Sequence, residues 1–476
     1  MKKSKIFALV SALLLTSGVL AGCGGKGGEE EEELTGTALA VSKASKMSLQ
    51  ELEAAAQKEA QDAGDSFKLK VVGLTSVLRS VATTVAENYE WLDYHYDSST
   101  KTSTGNIDVH NGYKDYQLLT ALETAETNYF ADYALAQDVR SFSTMIEDGI
   151  THNYIPSDAK ELGLPDEGLL PLYGVHFNKL FWTNTNFEEV TNERLFNIWQ
   201  VAGKETDEHH LSKVSFQSPT TEQINMSFLL TAYAEENQAR ILKAYKDFYD
   251  KDWVASGTYK NAGEQWVEEF IANISRFHTS DGTAMKKTQL DSDWNAGYVY
   301  YGAFAKMKDA AGEKYSVDLD GDGTVEDTID LTVTAGGVEY KYTSEKDIYA
   351  MSTVKWDWEI NGFNGFMYCM DSQIINNAKY PYNACLFART MLLEKTYTDA
   401  IYNSKNPDAA GNKANQYGYY YPGQASADFR YAKGDWTKEQ HIERELNEKY
   451  DYLKGIKISQ VNNILALVNS NTKASS

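Results

Sequence analysis

Phe67-Lys68-Leu69-Lys70-Val71-Val72-Gly73-Leu74-Thr75-Ser76 alternates, runs apolar, and then breaks on a small polar turn. Alternation passing into a β-branched run is the pattern of a partly buried strand. Downstream, Val77, Val81, Val85, Tyr89 and Leu92 recur every three or four residues, the spacing of one helix face. Strand, polar turn, helix is the opening unit of an α/β sheet, whose ligands sit at such turns. Thr75 and Ser76 fall at the helix amino terminus, where they either cap it or hold an oxygen-rich or anionic group. Upstream, Ser48 and Glu51 have capping-box spacing ahead of Leu49, Leu52, Ala55, Ala56 and Ala60, so order is expected to begin near Ser48.

The same grammar repeats further on. Tyr133-Ala134-Leu135-Ala136 predicts a short buried strand ending at Gln137-Asp138, then a helix to Glu147 stopped by Asp148-Gly149. Asp138 either pairs with a ligand ammonium or caps that helix. Leu169 to Trp182 is apolar and aromatic and leads into Thr183-Asn184. Val214-Ser215-Phe216 predicts another short strand, closed by Gln217 to Glu222, which places Ser218, Thr220 and Asn225 at the corresponding turn. Ile241, Ala244, Tyr245 and Phe248 make one helix face; Trp266, Phe270 and Ile274 make another. Asp281 and Trp294 lie in a later irregular segment, and Asn364, Phe366 and Tyr368 border a returning strand. Leu386 to Leu392 mark a helix, and Ile456 to Val468 a terminal segment. Strands alternating with helices in two regions imply two α/β lobes, each a mixed sheet flanked by helices. Residues 48–183 and 355–470 are assigned to lobe 1 and 184–354 to lobe 2, with 307–350 as an insertion.

The amino terminus places the chain. Lys2, Lys3 and Lys5 precede the apolar run Ile6 to Leu15, and Leu20-Ala21-Gly22-Cys23 closes it. A positive n-region, a short apolar core and small residues at the cut predict a signal peptide over 1–22. The final Cys resembles a bacterial lipobox, so Cys23 is expected to carry lipid and anchor the chain at the outer membrane face. Gly-rich and Glu-rich sequence follows, and 23–47 is expected to be a flexible tether. The formal charge of -23 becomes -26 once Lys2, Lys3 and Lys5 are removed, which argues against nucleic acid as a partner. Apart from Cys23, only Cys369 and Cys385 remain, either paired or buried as small hydrophobes.

The order of these motifs resembles the substrate-binding lipoproteins of ATP-driven importers, whose relatives bind iron(III), polyamines, thiamine or sugars. The stretches that carry the resemblance are LQELEAAAQKEA with FKLKVVGLTS, YALAQDVRSFSTMIEDGITHNYIPSD, LLPLYGVHFNKLFWTNTNF, NERLFNIWQVAGKE, VSFQSPTTEQINMSFLL, INGFNGFMY and PYNACLFARTML, across residues 48–395. The resemblance implies a type 2 periplasmic-binding fold closing by hinge motion on a solute, with Asn184 at the ligand or the hinge. It implies an ABC permease and ATPase as partners, and a polyamine-like cation or a sugar as solute. FNGFMYCMD departs from relatives that show Ser and Pro there, which leaves the substrate class open. Tyr300-Tyr301 matches the adjacent tyrosines of iron binders, although neighbours on a strand face opposite ways.

Asp318, Asp320, Asp322, Thr324 and Glu326 have the alternate spacing of a calcium loop, with Gly323 for the turn. Position twelve is Ile329 rather than an acid, so the loop is either a structural Ca²⁺ site or a solvated turn. No catalytic cofactor is expected. There is no nucleophile elbow and no phosphate loop. His209-His210 lacks zinc spacing. The competing reading is a lipid-anchored hydrolase of extracellular glycans, motivated by 32 Tyr and 9 Trp.

Overall fold

The computed structural model describes residues 34–74, 77–97, 99–113, 115–137, 139–162, 172–184, 194–278, 281, 296–300, 331–335, 338–342, 354–355, 360–393, 421–422 and 438–471. The chain divides into two compact units. Unit 1 comprises Met1–Gly174, Met370–Ser404 and Pro422–Ala427; unit 2 comprises Val175–Cys369, Lys405–Tyr421 and Asp428–Ser476.

Unit 1 is built on the strand Leu69–Gly73. It pairs in parallel with Ile107–His110 on one side and with Tyr133–Ala136 on the other. Tyr133–Ala136 in turn runs antiparallel to the later half of Gly365–Ile375, Ala136 opposite Asp371. Helix Val77–Asn88 buries Leu78, Val81, Ala82 and Val85, the face its periodicity marked out. Helix Leu49–Ala63 opens with the expected capping box: Glu51 N donates to Ser48 Oγ at 3.3 Å and Ser48 N donates to Glu51 Oε2 at 2.8 Å. The bonds that Ser48 N and Ser48 Oγ donate to that carboxylate, the backbone one first, hold it below its ordinary pKa.

Glu59, on the inner side of that helix, meets the amino terminus of helix Pro381–Thr390. It accepts from Tyr382 N at 3.2 Å and from Asn383 N at 3.0 Å. Burial nevertheless dominates and pushes its carboxyl up to about 7. A pKa raised on folding adds stability below the unfolded value near 4.5, and that contribution is lost as pH rises through 7. Glu59→Gln mimics the protonated form. Its stability relative to wild type is therefore expected to improve by up to about 3 kcal/mol between pH 4.5 and pH 8, read from urea midpoints. A difference that does not change with pH would remove Glu59 from that role.

Unit 2 carries the strands Leu172–Asn184, Ala296–Tyr300, Val214–Gln217 and Ile274–His278 as neighbours in that order. The first pair is antiparallel and the other two are parallel. Helix Gln223–Ala232 is apolar nearly all round, and Ile224 to Ala232 is buried without interruption, as such a helix must be. Phe228 lies at its centre, within 6.3 Å, centroid to centroid, of Phe181, Phe216, Trp266, Phe363 and Phe366. Aromatic rings thus fill the interior of this unit.

Four expectations are corrected. Residues 34–47 are not tether: Gly36–Ala44 is a helix that buries Thr37, Ala40, Val41 and Ala44. Small residues at helical spacing gave it a face that can pack closely. The unit boundaries fall at 174/175 and 369/370 instead of 183/184 and 354/355, because both boundary strands change unit partway along. The carboxyl-terminal helices belong to unit 2. Tyr452 Oη donates to Leu230 O at 2.9 Å, and Asn471 Nδ2 donates to Ile271 O at 2.6 Å. Ile274 does not extend the helix face of Trp266 and Phe270; the helix ends at Asn273 and Ile274 opens a strand. Within the expected insertion, Leu331–Ala335 and Val338–Tyr342 form an antiparallel hairpin. Residues 1–33, including Cys23, and the acidic loop from Asp318 to Glu326 lie outside the described residues.

Candidate functional site

In unit 2 the parallel strands end side by side. Gln217 stands opposite His278, and Ser218 N donates to His278 O at 3.0 Å. Ala296–Tyr300 runs the same way as Val214–Gln217, which sets Tyr300 at this carboxyl edge, opposite Lys179 of the long strand Leu172–Asn184.

Lys179 is the organising residue. Its side chain is 1% exposed, and an unpaired ammonium that deeply buried would cost several kcal/mol. It is paired: Nζ donates to Gln217 Oε1 at 3.2 Å, lies 3.1 Å from Asp281 Oδ2 and 3.8 Å from Glu222 Oε1. Gln217 Nε2 donates to Glu222 Oε2 at 3.2 Å, and Asn225 Nδ2 donates to Gln217 O at 2.9 Å. Ser218 Oγ and Thr220 Oγ1 sit 2.7 Å apart in the turn, with Thr220 N donating to Ser218 Oγ. The edge therefore gathers Ser218, Thr220, Asn225 and Asp281, four of the residues singled out in the sequence.

Lys179, Gln217 and Glu222 were missed. The signal was present in Phe177-Asn178-Lys179-Leu180-Phe181-Trp182, where one charge interrupts an apolar strand and so demands a buried partner. The neighbouring Asn178 belongs to a second buried cluster. Asn178 Nδ2 donates to Glu445 Oε1 at 3.2 Å, and His441 Nδ1 bonds the same oxygen. Burial pushes the Glu445 carboxyl up against the opposing pull of His441.

The returning strand serves the interior. Asn364 Oδ1 accepts from Ile360 N at 3.2 Å, and Phe366 is fully buried against Phe228. These contacts assign both to the core, because the register turns them inward. Tyr368 is stacked between Phe177 at 5.8 Å and Phe366 at 6.2 Å. In unit 1, Gln137 is half-buried after the strand end at Ala136. Asp371, fully buried and opposite Ala136, was overlooked because it hides in the apolar run Gly365–Ile375. Asn184 ends its strand, in register with Val354. Thr75, Ser76, Asp138 and Trp294 lie outside the described residues. Cys369 and Cys385 are free, buried and in different units, so they are not a disulfide. Burial raises the Cys385 thiol pKa well above its ordinary value. Among the described residues no group of three or more His, Cys, Asp or Glu could hold a metal ion, and no helix is long and apolar enough to cross a membrane.

The architecture is that of a two-lobed, type 2 periplasmic binding protein. The chain is similar to iron-bound HitA from Pseudomonas aeruginosa (TM-score 0.52, 11% identity, 85% of this chain and 99% of that one). It is similar also to the ferric binding protein from Campylobacter jejuni (TM-score 0.50, 10% identity, 85% of this chain and 99% of that one). No family model and no curated protein matches the sequence.

Proposed function

We propose that the chain is the extracytoplasmic solute receptor of an ABC importer, capturing a small solute and delivering it to a transmembrane permease powered by a cytoplasmic ATPase. The two-lobed fold over 85% of the chain carries this reading. The lipobox ending at Cys23 supports attachment to the outer membrane face. The polar edge around Lys179 lies at the carboxyl ends of parallel strands, where α/β sheets place ligands, and this position supports the reading. The reading requires binding and release and no bond chemistry.

The favoured solute is an organic one, a polyamine-like cation or a sugar. Ferric ion is the second reading: the similar proteins are an iron-bound one and a ferric binding one, and Tyr300 stands at the strand-end edge. Thermal shift on the purified chain discriminates them. One of spermidine, glucose, thiamine or ferric nitrilotriacetate is expected to stabilise it, by about 2.7 kcal/mol at a hundredfold excess over Kd. If none of the four moves the melting temperature, the receptor reading is lost.

A further inference from the structure

We infer that residues 438–448 form a strap fastened inside unit 2 by a proton shared between His441 and Glu445, and that loss of this proton unlatches it. The strap grips both strands along which the chain passes from one unit to the other. On Gly365–Ile375 the grip is backbone: Leu446 pairs with Phe366 and Asn447 with Met367. Asn364 N donates to Arg444 O at 2.8 Å, and Glu448 N donates to Met367 O at 2.8 Å. On Leu172–Asn184 the grip runs through Asn178, whose Nδ2 donates to Glu445 Oε1 at 3.2 Å.

His441 and Glu445 stand one helical turn apart with both side chains 0% exposed, and the imidazole Nδ1 is hydrogen-bonded to Glu445 Oε1. Such a pair titrates as a unit. With one proton it is neutral overall, whichever member holds it; without that proton a net negative charge is left in an interior that does not solvate it. The neighbouring charges are committed to other groups. Arg240, from helix Glu235–Tyr249, donates to the carbonyls Glu443 O at 2.7 Å and Glu445 O at 2.9 Å. Lys179, next to Asn178, is turned to Gln217 and Asp281. On the strap itself Glu443 is exposed, Arg444 is half-buried, and Glu448 Oε2 accepts from Cys369 N at 3.0 Å. Among the described residues the imidazole is thus the group bonded to the Glu445 carboxylate that can neutralise it. Burial raises the Glu445 pKa, and a raised acid adds stability below its unfolded value near 4.5 and loses it as pH rises through the folded one. Mild acid keeps the strap shut and alkali opens it.

Amide hydrogen exchange on the full chain, corrected for intrinsic rate and followed from about pH 5 to about pH 9, tests this. Protection of the Asn364, Glu445 and Glu448 amides is expected to fall by up to about tenfold per pH unit once the shared proton leaves, the slope of a single proton. Glu445→Gln keeps an acceptor for His441 and cannot ionise, so it is expected to flatten that profile. In wild type, the imidazole nitrogen shifts of His441 are expected to move with the same midpoint as the strap's protection. Wild-type protection that is flat with pH overturns the inference, and so does a slope that survives in Glu445→Gln. Should that variant fail to fold, the imidazole decides: a His441 midpoint apart from that of the strap overturns the inference, and a shared one upholds it. The receptor reading stands in every case.

Discussion

Trp266→Ala is expected to destabilise unit 2 by about 3–5 kcal/mol, the cost of emptying a large aromatic site that cannot collapse. The indole is fully buried, stacked on Phe270 at 4.9 Å and edge-on to Phe363 at 5.0 Å. Phe228 closes a third side at 6.0 Å. Phe228 sits on helix Gln223–Ala232, Phe270 on helix Ala262–Asn273, and Phe363 just ahead of strand Gly365–Ile375, all fully buried, so none can swing in freely to fill the space. Its Nε1 also donates to Ile198 O at 3.0 Å. Trp266→Phe keeps most of the apolar area but leaves that carbonyl short of a partner, at about 1–2 kcal/mol. The urea transition assigned to unit 2 by tryptophan fluorescence and hydrogen exchange measures both. An alanine cost below about 1 kcal/mol would mean the cluster is loosely packed.

Asp132→Ala is expected to cost unit 1 about 3–5 kcal/mol. This fully buried carboxylate accepts from Lys70 N at 2.8 Å, Lys379 N at 2.7 Å and Tyr380 N at 3.1 Å, with Tyr129 Oη at 3.1 Å. It ties the first strand, through Lys70, to the segment leading into helix Pro381–Thr390, at Tyr380, regions about 310 residues apart in the sequence. Burial raises its pKa despite those bonds. Alanine would leave three backbone N–H groups, that of buried Tyr380 among them, without their acceptor. Asp132→Asn is expected to recover little, because a carboxamide presents one accepting oxygen to four donors. Urea midpoints near neutral pH decide the matter. An asparagine variant as stable as wild type would show that neither the charge nor the second accepting oxygen is needed.

Both sites illustrate what could be read in advance. The strands Leu69–Gly73 and Tyr133–Ala136 and the helices behind them were legible because alternation and three-to-four spacing are local. The capping box at Ser48 was legible for the same reason. The strand Ile274–His278 was not: it follows helix Ala262–Asn273 without a turn residue, so Ile274 continued the apolar period. Ser218, Thr220, Asn225 and Asp281 were singled out from position and the resemblance together. Lys179 and Asp371 were passed over because each sits inside an apolar strand, where composition argues core.

The sequence by itself determined the α/β alternation and pointed to the two-lobed class, since periodicity and short motifs are carried by neighbours along the chain. Only the tertiary structure decided that residues 438–471 complete unit 2, and that Lys179, Gln217, Glu222 and Asp281 converge. The physical reason is pairing across long separations: strand register and the need of a buried charge for a partner are settled in space. Nothing local in FNKLFW names Asp281, a hundred residues away, as the group that makes a lysine tolerable there.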